Sequence, residues 1–345
     1  SDGPSDGRQA GRAACVARSA VTLSCVTAAA LVTPGTLVDI HAHGGVGHQF
    51  GADCRGTLLA IAHHRAQSVE RVVASLVTAT DAALIDQVGV LAPLVAEGVL
   101  AGIHLEGPFL SVARCGAHDR AFVRDPDPGL IERLAAVAAA AGATRAIRHL
   151  TFAPERPGAA ALVETCARLG IVPAIGHTDA DAGTITRAIG RITERTGRPA
   201  LVTHLFNGMP AFHHRGGGPA AAALAAAARG EAIVELIADG VHVSPEVVAM
   251  VFDLVGPDRV ALVSDAMAAT GLGDGRYRIG ALPVDVRAGT ARLVGPDGTL
   301  GPIAGSTHTL ADCVAWAVGV AGIALADARR AASITPARAI ALSLG

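Results

Sequence analysis

The sequence predicts a (β/α)8 barrel, and three observations carry that prediction. Apolar, strand-like runs alternate with helix-like stretches eight times between Leu37 and Asp265. Six of those runs end in a short polar motif rich in His, Asp or Glu, which is where a barrel assembles a site at one mouth. The chain has 345 residues, enough for one barrel of about 250 residues and a modest addition. Eight βα units in succession fit a closed barrel better than an open sheet.

The elements follow in order. Strand one, 37–43, starts at Leu37-Val38 and ends in Asp39-Ile40-His41-Ala42-His43-Gly44. Strand two is expected at 72–78. Strand three, 101–106, ends in His104-Leu105-Glu106-Gly107-Pro108-Phe109, and strand four lies at 148–152. Strand five, 171–177, closes on Gly176-His177-Thr178, and strand six, 200–205, on Thr203-His204-Leu205-Phe206-Asn207. Strand seven, 232–238, leads into Asp239-Gly240-Val241-His242, and strand eight, 259–265, into Ser264-Asp265-Ala266. Helices are expected between them, at Ala83 to Ala96, Pro128 to Ala141, Ala159 to Leu169 and Asp179 to Ile189. The Ala221–Ala228 run is read as a plain Ala-rich helix. A hairpin-like insertion is expected near 276–300, and the chain after Gly305 is helical. Together, 36–345 are read as the barrel with its insertion.

Residues 1–35 are read apart from it. The first dozen are Gly/Ser/Asp-rich, as in a disordered start. Residues 13–33, behind Arg8, Arg12 and Arg18, could pass for a signal peptide. Thr22, Ser24 and Thr27 interrupt the apolar run, and a strand remnant of a small β domain is the preferred reading.

Composition excludes several functions. The net charge of −2 argues against a nucleic-acid partner or a charged membrane surface. No uncharged apolar run reaches the roughly 20 residues of a membrane helix. Six cysteines lie scattered without a CxxC pair, as in a reduced, cytoplasmic chain. All 28 basic residues are Arg. A Schiff-base lysine, a P-loop lysine and a carboxylated lysine bridging two metals are therefore excluded. Any phosphate must be held by Arg, His or backbone N–H groups.

The polar motifs point to metal chemistry. His41 and His43 are two apart on a strand, so both side chains face one side. Paired imidazoles suit zinc, iron, manganese or cobalt; the alternative is a hydrogen-bonded pair. Glu106 ends an apolar strand, where a carboxylate needs a cation or strong donors. Its alternative is an ion pair with Arg. His177 and His204 end consecutive strands; each alone could be a satisfied core histidine. With Glu106 they make three ligands, and three ligands with one open position are the arrangement of a catalytic zinc site. Asp265 could pass a proton from water to a leaving group, or be a fourth ligand. Arg215, in a Gly-rich loop, suits an anion, or is an incidental surface residue. His242 could face a substrate carbonyl. His48, His63, His64 and His149 are left as structural or surface residues.

These motifs resemble those of the N-acetylglucosamine-6-phosphate deacetylase family, within the amidohydrolase superfamily. The resemblance rests on the segments at 104–109, 203–207, 238–242 and 264–266, with Ala304-Gly305-Ser306 following, and covers roughly 35 to 340. It implies a barrel of the metal-dependent hydrolase type, with a small β-sandwich domain that is reduced or truncated here. It implies Glu106, His177 and His204 as metal ligands, with a second metal at His41 and His43. One or two divalent ions per subunit are expected, zinc first. Asp265 becomes the catalytic acid/base, assisted by His242. His118, Asn207, Gly208, Arg215 and His242 become substrate contacts, Arg215 near the phosphate, and Ile303, Ala304 and Gly305 line the sugar. The implied partners are a phosphorylated amino sugar and a second subunit that helps complete the phosphate site. The rivals are an amidohydrolase for another N-acyl sugar or amino acid, and a truncated metal-binding barrel without turnover.

Overall fold

The computed structural model describes residues 37–343, so the readings made for 1–35 lie outside the described residues. Eight parallel strands form one sheet in sequence order. They are β1 (Leu37–Ala42), β2 (Val69–Val77), β3 (Gly102–Glu106), β4 (Ile147–Phe152), β5 (Val172–Ile175), β6 (Ala200–Val202), β7 (Ala232–Ile237) and β8 (Val260–Val263). The helices between them are α1 (Cys54–Ala66), α2 (Asp81–Ala96), α3 (Pro128–Ala140), α4 (Ala159–Leu169), α5 (Ala182–Thr196), α6 (Gly218–Ala228) and α7 (Pro245–Val255). The expected (β/α)8 barrel is therefore what the chain forms.

The seam between β8 and β1 is closed by few but specific bonds. The Asp265 N–H donates to the His41 carbonyl at 2.9 Å, and Ala42 and Ala266 form a parallel bridge. The Ser264 hydroxyl donates to Asp39 Oδ2 at 2.5 Å. Asp39 also accepts the N–H groups of His41 and Ser264, each at 3.3 Å. Burial pushes the Asp39 carboxyl up to about 6, against the pull of these donors.

Apolar packing divides into an inner and an outer cluster. Val38, Ile40, Val73, Ala174, Leu201, Ile233 and Val263 pack together with Ala337, Ala339 and Ile340 of the C-terminal segment. The larger cluster joins the strands to the helices, for example Leu76, Leu91, Leu105, Leu134 and Leu162. With almost no aromatic residues, this core is built by interdigitating Ala, Val, Leu and Ile.

Local signals explain the helix boundaries. Thr80 caps α2 by accepting the Ala83 N–H at 3.2 Å, and Asp127 caps α3 through the Gly129 N–H at 2.9 Å. The helix expected at Asp179 to Ile189 is displaced. Asp181 caps it through the Thr184 N–H at 2.6 Å, and it ends at left-handed Gly197. Ile185, Ile189 and Ile192 carry its buried face to that point. Asp179 lies ahead of the cap and pairs with Arg114 instead.

Four antiparallel strands follow β8: β9 (Gly275–Ile279), β10 (Leu282–Arg287), β11 (Thr290–Val294) and β12 (Leu300–Ile303). Met267, Ile279, Val284, Val286 and Ala304 give this sheet its own small core. Three helices end the described chain: α8 (Leu310–Gly319), α9 (Leu325–Ala331) and α10 (Ile334–Ala339). Among the described residues no helix is long and apolar enough to cross a membrane. Cys115, Cys166 and Cys313 are buried free thiols.

Candidate active site

Each candidate ligand sits at the end of a barrel strand. Glu106 is the last residue of β3, and His41 lies within β1. His177, His204 and Asp265 lie just past the ends of β5, β6 and β8, later than the strand readings placed them. All three have positive φ, at 47°, 27° and 53°. Left-handed backbone is costly for a residue with a Cβ and clusters at functional sites. Here it turns three polar side chains from three strands onto one point.

Two donor groups share Glu106. On one side, Glu106 Oε1 lies 3.0 Å from His177 Nε2 and 2.9 Å from His204 Nε2, and those nitrogens are 3.1 Å apart. On the other, Glu106 Oε2 lies 3.1 Å from His43 Nε2, which is 3.1 Å from Asp265 Oδ1 and 3.2 Å from His41 Nε2. His118 Nε2 approaches Glu106 Oε2 at 3.4 Å. Every one of these side chains is buried.

The chemistry of the donors tests whether a metal fits. His177 Nδ1 donates to the Arg114 carbonyl at 2.8 Å. A carbonyl only accepts, so the proton is on Nδ1 and the Nε2 lone pair faces Glu106. His41 Nδ1 likewise faces a carboxylate, Glu235 Oε2, at 3.0 Å, leaving its Nε2 lone pair toward the site. Lone pairs aimed at carboxylate oxygens about 3 Å away need a cation between them. His41, His43 and Glu106, and likewise Glu106, His118 and His177, are placed so that each group could hold a metal ion, and the arrangement fits one.

Burial opposes charge on Glu106, yet the His41 and His118 imidazoles beside it hold its carboxyl well below the usual range. Burial also opposes protonation of His43, but the hydrogen bonds it donates to Asp265 and Glu106 lift it to about 9. Burial wins at His118 and pushes it down to about 4.

The open part of the site is a cavity of about 360 Å³, within the range of small-molecule sites. Glu106, His177, His204 and Asp265 reach its floor, and His118, Asn207, Gly208, His242, Ile303 and Gly305 line it. Gly208 has φ +60°, and a Cβ there would come within 2.7 Å of His177 Nδ1. Only glycine lets this loop lie against the His177 ring.

Two expected contacts lie elsewhere. Ala304 is fully buried in the core of the small sheet, because its N–H pairs with the Ala291 carbonyl and turns its methyl inward. Arg215 is exposed, in the loop before α6, and does not line this cavity. A loop of consecutive glycines carries no periodicity from which its direction could be read.

Three contributors escaped the sequence reading. Arg292 on β11 lines the cavity, donates to the Gly301 carbonyl at 3.1 Å and has no ion pair among the described residues. It was hidden in a strand taken only as insertion. Glu235 was hidden in an apolar run. Asp239 lay in plain view, three residues before His242.

Asp239 Oδ2 accepts from His242 Nδ1 at 2.8 Å and from the Ser306 hydroxyl at 2.8 Å. Its Oδ1 accepts the N–H groups of Val241 and His242, both at 2.9 Å. This fixes the tautomer that leaves His242 Nε2 free. Burial pulls His242 down, but the Asp239 hydrogen bond and charge outweigh it, and the net shift is upward from 6.5. Asp239 is correspondingly lowered from 3.8, its donors outweighing burial. The His242 share of stability is present below pH 6.5 and lost as pH rises through the raised value. The Asp239 share is present above pH 3.8 and lost as pH falls through the lowered value. Asp239→Asn should therefore shift the His242 titration downward, read by NMR of the imidazole. An unmoved titration would remove Asp239 as its holder.

Strand-end histidines and carboxylates grouped so that they could hold a metal, in a (β/α)8 barrel, define a class of hydrolase. The amidohydrolase family model matches residues 31–345, and the chain belongs to the amidohydrolase family. Within it, the chain is similar to N-acetylglucosamine-6-phosphate deacetylase from Bos taurus, at 33% identity over 71% of this chain and 57% of that one. It is also similar to N-acetylgalactosamine-6-phosphate deacetylase from Escherichia coli O157:H7, at 30% identity over 87% of this chain and 76% of that one. A solved mutant of N-acetyl-D-glucosamine-6-phosphate deacetylase from Mycobacterium smegmatis, in complex with N-acetyl-D-glucosamine-6-phosphate, superposes with a TM-score of 0.81 at 40% identity. That match covers 92% of this chain and 82% of the other. The match to the bovine relative thus spans little more than half of that protein's length.

Proposed function

We propose that the chain catalyses metal-dependent deacetylation of N-acetyl-D-glucosamine 6-phosphate, giving D-glucosamine 6-phosphate and acetate. The observation that carries this reading is Asp265, within reach of a donor cluster and open to a cavity shared with His242. A divalent ion, when bound, would polarise the amide carbonyl and acidify water. Zinc is the proposed ion, ahead of iron, manganese or cobalt. Two donor groups sharing Glu106 support two ions per subunit. Asp265 takes the proton of the attacking water and returns it to the departing amine nitrogen. As an imidazolium, which the Asp239 carboxylate favours, His242 donates from Nε2 to the carbonyl oxygen as charge develops there. His118, Asn207, Gly208, Ile303 and Gly305 orient the sugar. Cytoplasmic work remains part of the proposal.

Arg215 supports the homodimer that belongs to this reading. Exposed and outside its own cavity, it would serve the partner subunit's phosphate, while Arg292 is the guanidinium facing its own cavity. Arg215→Ala should raise KM for the phosphorylated sugar and leave the unphosphorylated one nearly unchanged. Equal effects on both substrates would remove Arg215 from phosphate recognition, and a monomeric mass by light scattering would remove the shared site.

The deciding assay is acetate release from N-acetylglucosamine 6-phosphate, with divalent metal and with chelator, beside the unphosphorylated sugar. Metal-dependent release favouring the phosphorylated sugar is expected. The similarity to an N-acetylgalactosamine-6-phosphate deacetylase favours one second reading, the galactosamine epimer as substrate, and faster release from that epimer would establish it.

A further inference from the structure

Glu235 is fully buried on β7, where it is the one charged residue in a six-residue strand of Ala, Ile, Val and Leu. Burying a carboxylate is costly unless it is paired. Its side chain has two donors. One is His41 Nδ1, at 3.0 Å from Oε2. The other is the His204 N–H, at 3.2 Å from the same oxygen. Its second oxygen has no hydrogen-bond partner and lies 3.9 Å from His149 Nε2, which has none either. No arginine pairs with Glu235 among the described residues.

Those two bonds reach one residue of each donor group around Glu106. The bond to His41 fixes which ring nitrogen carries the proton and aims Nε2 at the cluster. The bond to the His204 amide, with the Leu205 N–H donated to the Glu235 carbonyl at 2.8 Å, holds the turn where His204 takes its positive φ.

We propose that Glu235 is a positioning residue for both metal half-sites, orienting the His41 ring on one side and the His204 backbone on the other. It touches no substrate and acts through these two residues. The inference rests on the metal reading above. Outer-shell carboxylates of this kind typically set metal affinity by about 10- to 100-fold.

The test is zinc titration of the full chain against a chromophoric chelator, with bound zinc counted by mass spectrometry. Glu235→Leu keeps the volume and removes the acceptor. It should weaken the His41/His43 half-site by about 10- to 100-fold and the His177/His204 half-site less, because there only a backbone bond is lost. Glu235→Gln keeps an acceptor and should recover part of the loss. In a His41→Asn background Glu235→Leu should leave only the smaller loss, that of the His177/His204 half-site. A merely structural carboxylate would lower the thermal midpoint of the metal-free chain and leave the ratio of the two affinities alone. Should the Leu variant fail to fold, nitrogen-15 spectra of the zinc-loaded wild type decide. A hydrogen-bonded proton on His41 Nδ1 is expected, and an unprotonated Nδ1 overturns the inference. Two ions bound with unchanged affinities in Glu235→Leu would overturn it alone. A wild-type chain that takes no ion would overturn the metal reading with it.

Discussion

Asp265→Asn is expected to lower acetate release by about 10²–10⁴-fold, the usual contribution of a positioned general acid/base. Zinc at the Glu106, His177 and His204 group should remain. The reasoning is geometric. Asp265 Oδ1 stands 3.1 Å from His43 Nε2 and 3.5 Å from His41 Nε2, at the rim of the donor cluster, and the residue also lines the cavity. Asn preserves shape and its carbonyl oxygen but cannot accept and return a proton. Turnover and bound metal, measured on the same preparation, separate the two roles that the sequence left open. Loss of turnover with zinc retained identifies the acid/base. Loss of zinc in proportion identifies a ligand, and turnover within a few-fold of wild type sinks both.

Glu106→Gln is expected to empty both half-sites together. One oxygen lies nearest His177 and His204 and the other nearest His43, and Glu106 belongs to both groups that could hold an ion. An outer-shell change costs about 10- to 100-fold in metal affinity, and loss of a shared ligand should exceed that range. Metal content after dialysis should fall at both half-sites, and added zinc should not restore turnover at concentrations that saturate the wild type. Selective loss of one ion would show that Glu106 belongs to one group and only neighbours the other. The contrast with Glu235 is then direct, since Glu235→Leu should weaken one half-site more than the other.

The candidate ligand residues were legible because the signals were local. Glu106, His177, His204 and Asp265 each terminate an apolar run, and a parallel strand buried on both faces has no cheap place for a charge except its end. The paired spacing of His41 and His43 was equally plain. The boundaries were less so: helix α5 starts three residues later than expected and runs on to Thr196. Its cap at Asp181 competed with other polar residues in the same stretch, and only packing of Ile192 decides how far the helix continues.

The missed residues share one property. Glu235 lay inside an apolar run taken as a strand, and Arg292 inside a stretch taken as an insertion. Each acquires its meaning from a partner remote in sequence: Glu235 meets His41 across 194 positions, and Arg292 reaches the cavity only when the small sheet lies beside the barrel mouth. Sequence by itself determined the barrel, the order of its strands and the residue types at its mouth. These follow from hydrophobic periodicity and from the cost of burying charge within a strand, both of which act over a few neighbouring residues. Tertiary structure alone decided that Glu106 is shared by two donor groups, that Asp239 and Glu235 hold imidazoles in one tautomer, and which arginine faces the cavity. Those are matters of distances of about 3 Å between side chains from different strands, and hydrogen bonds and charges act through such distances whatever the separation along the chain.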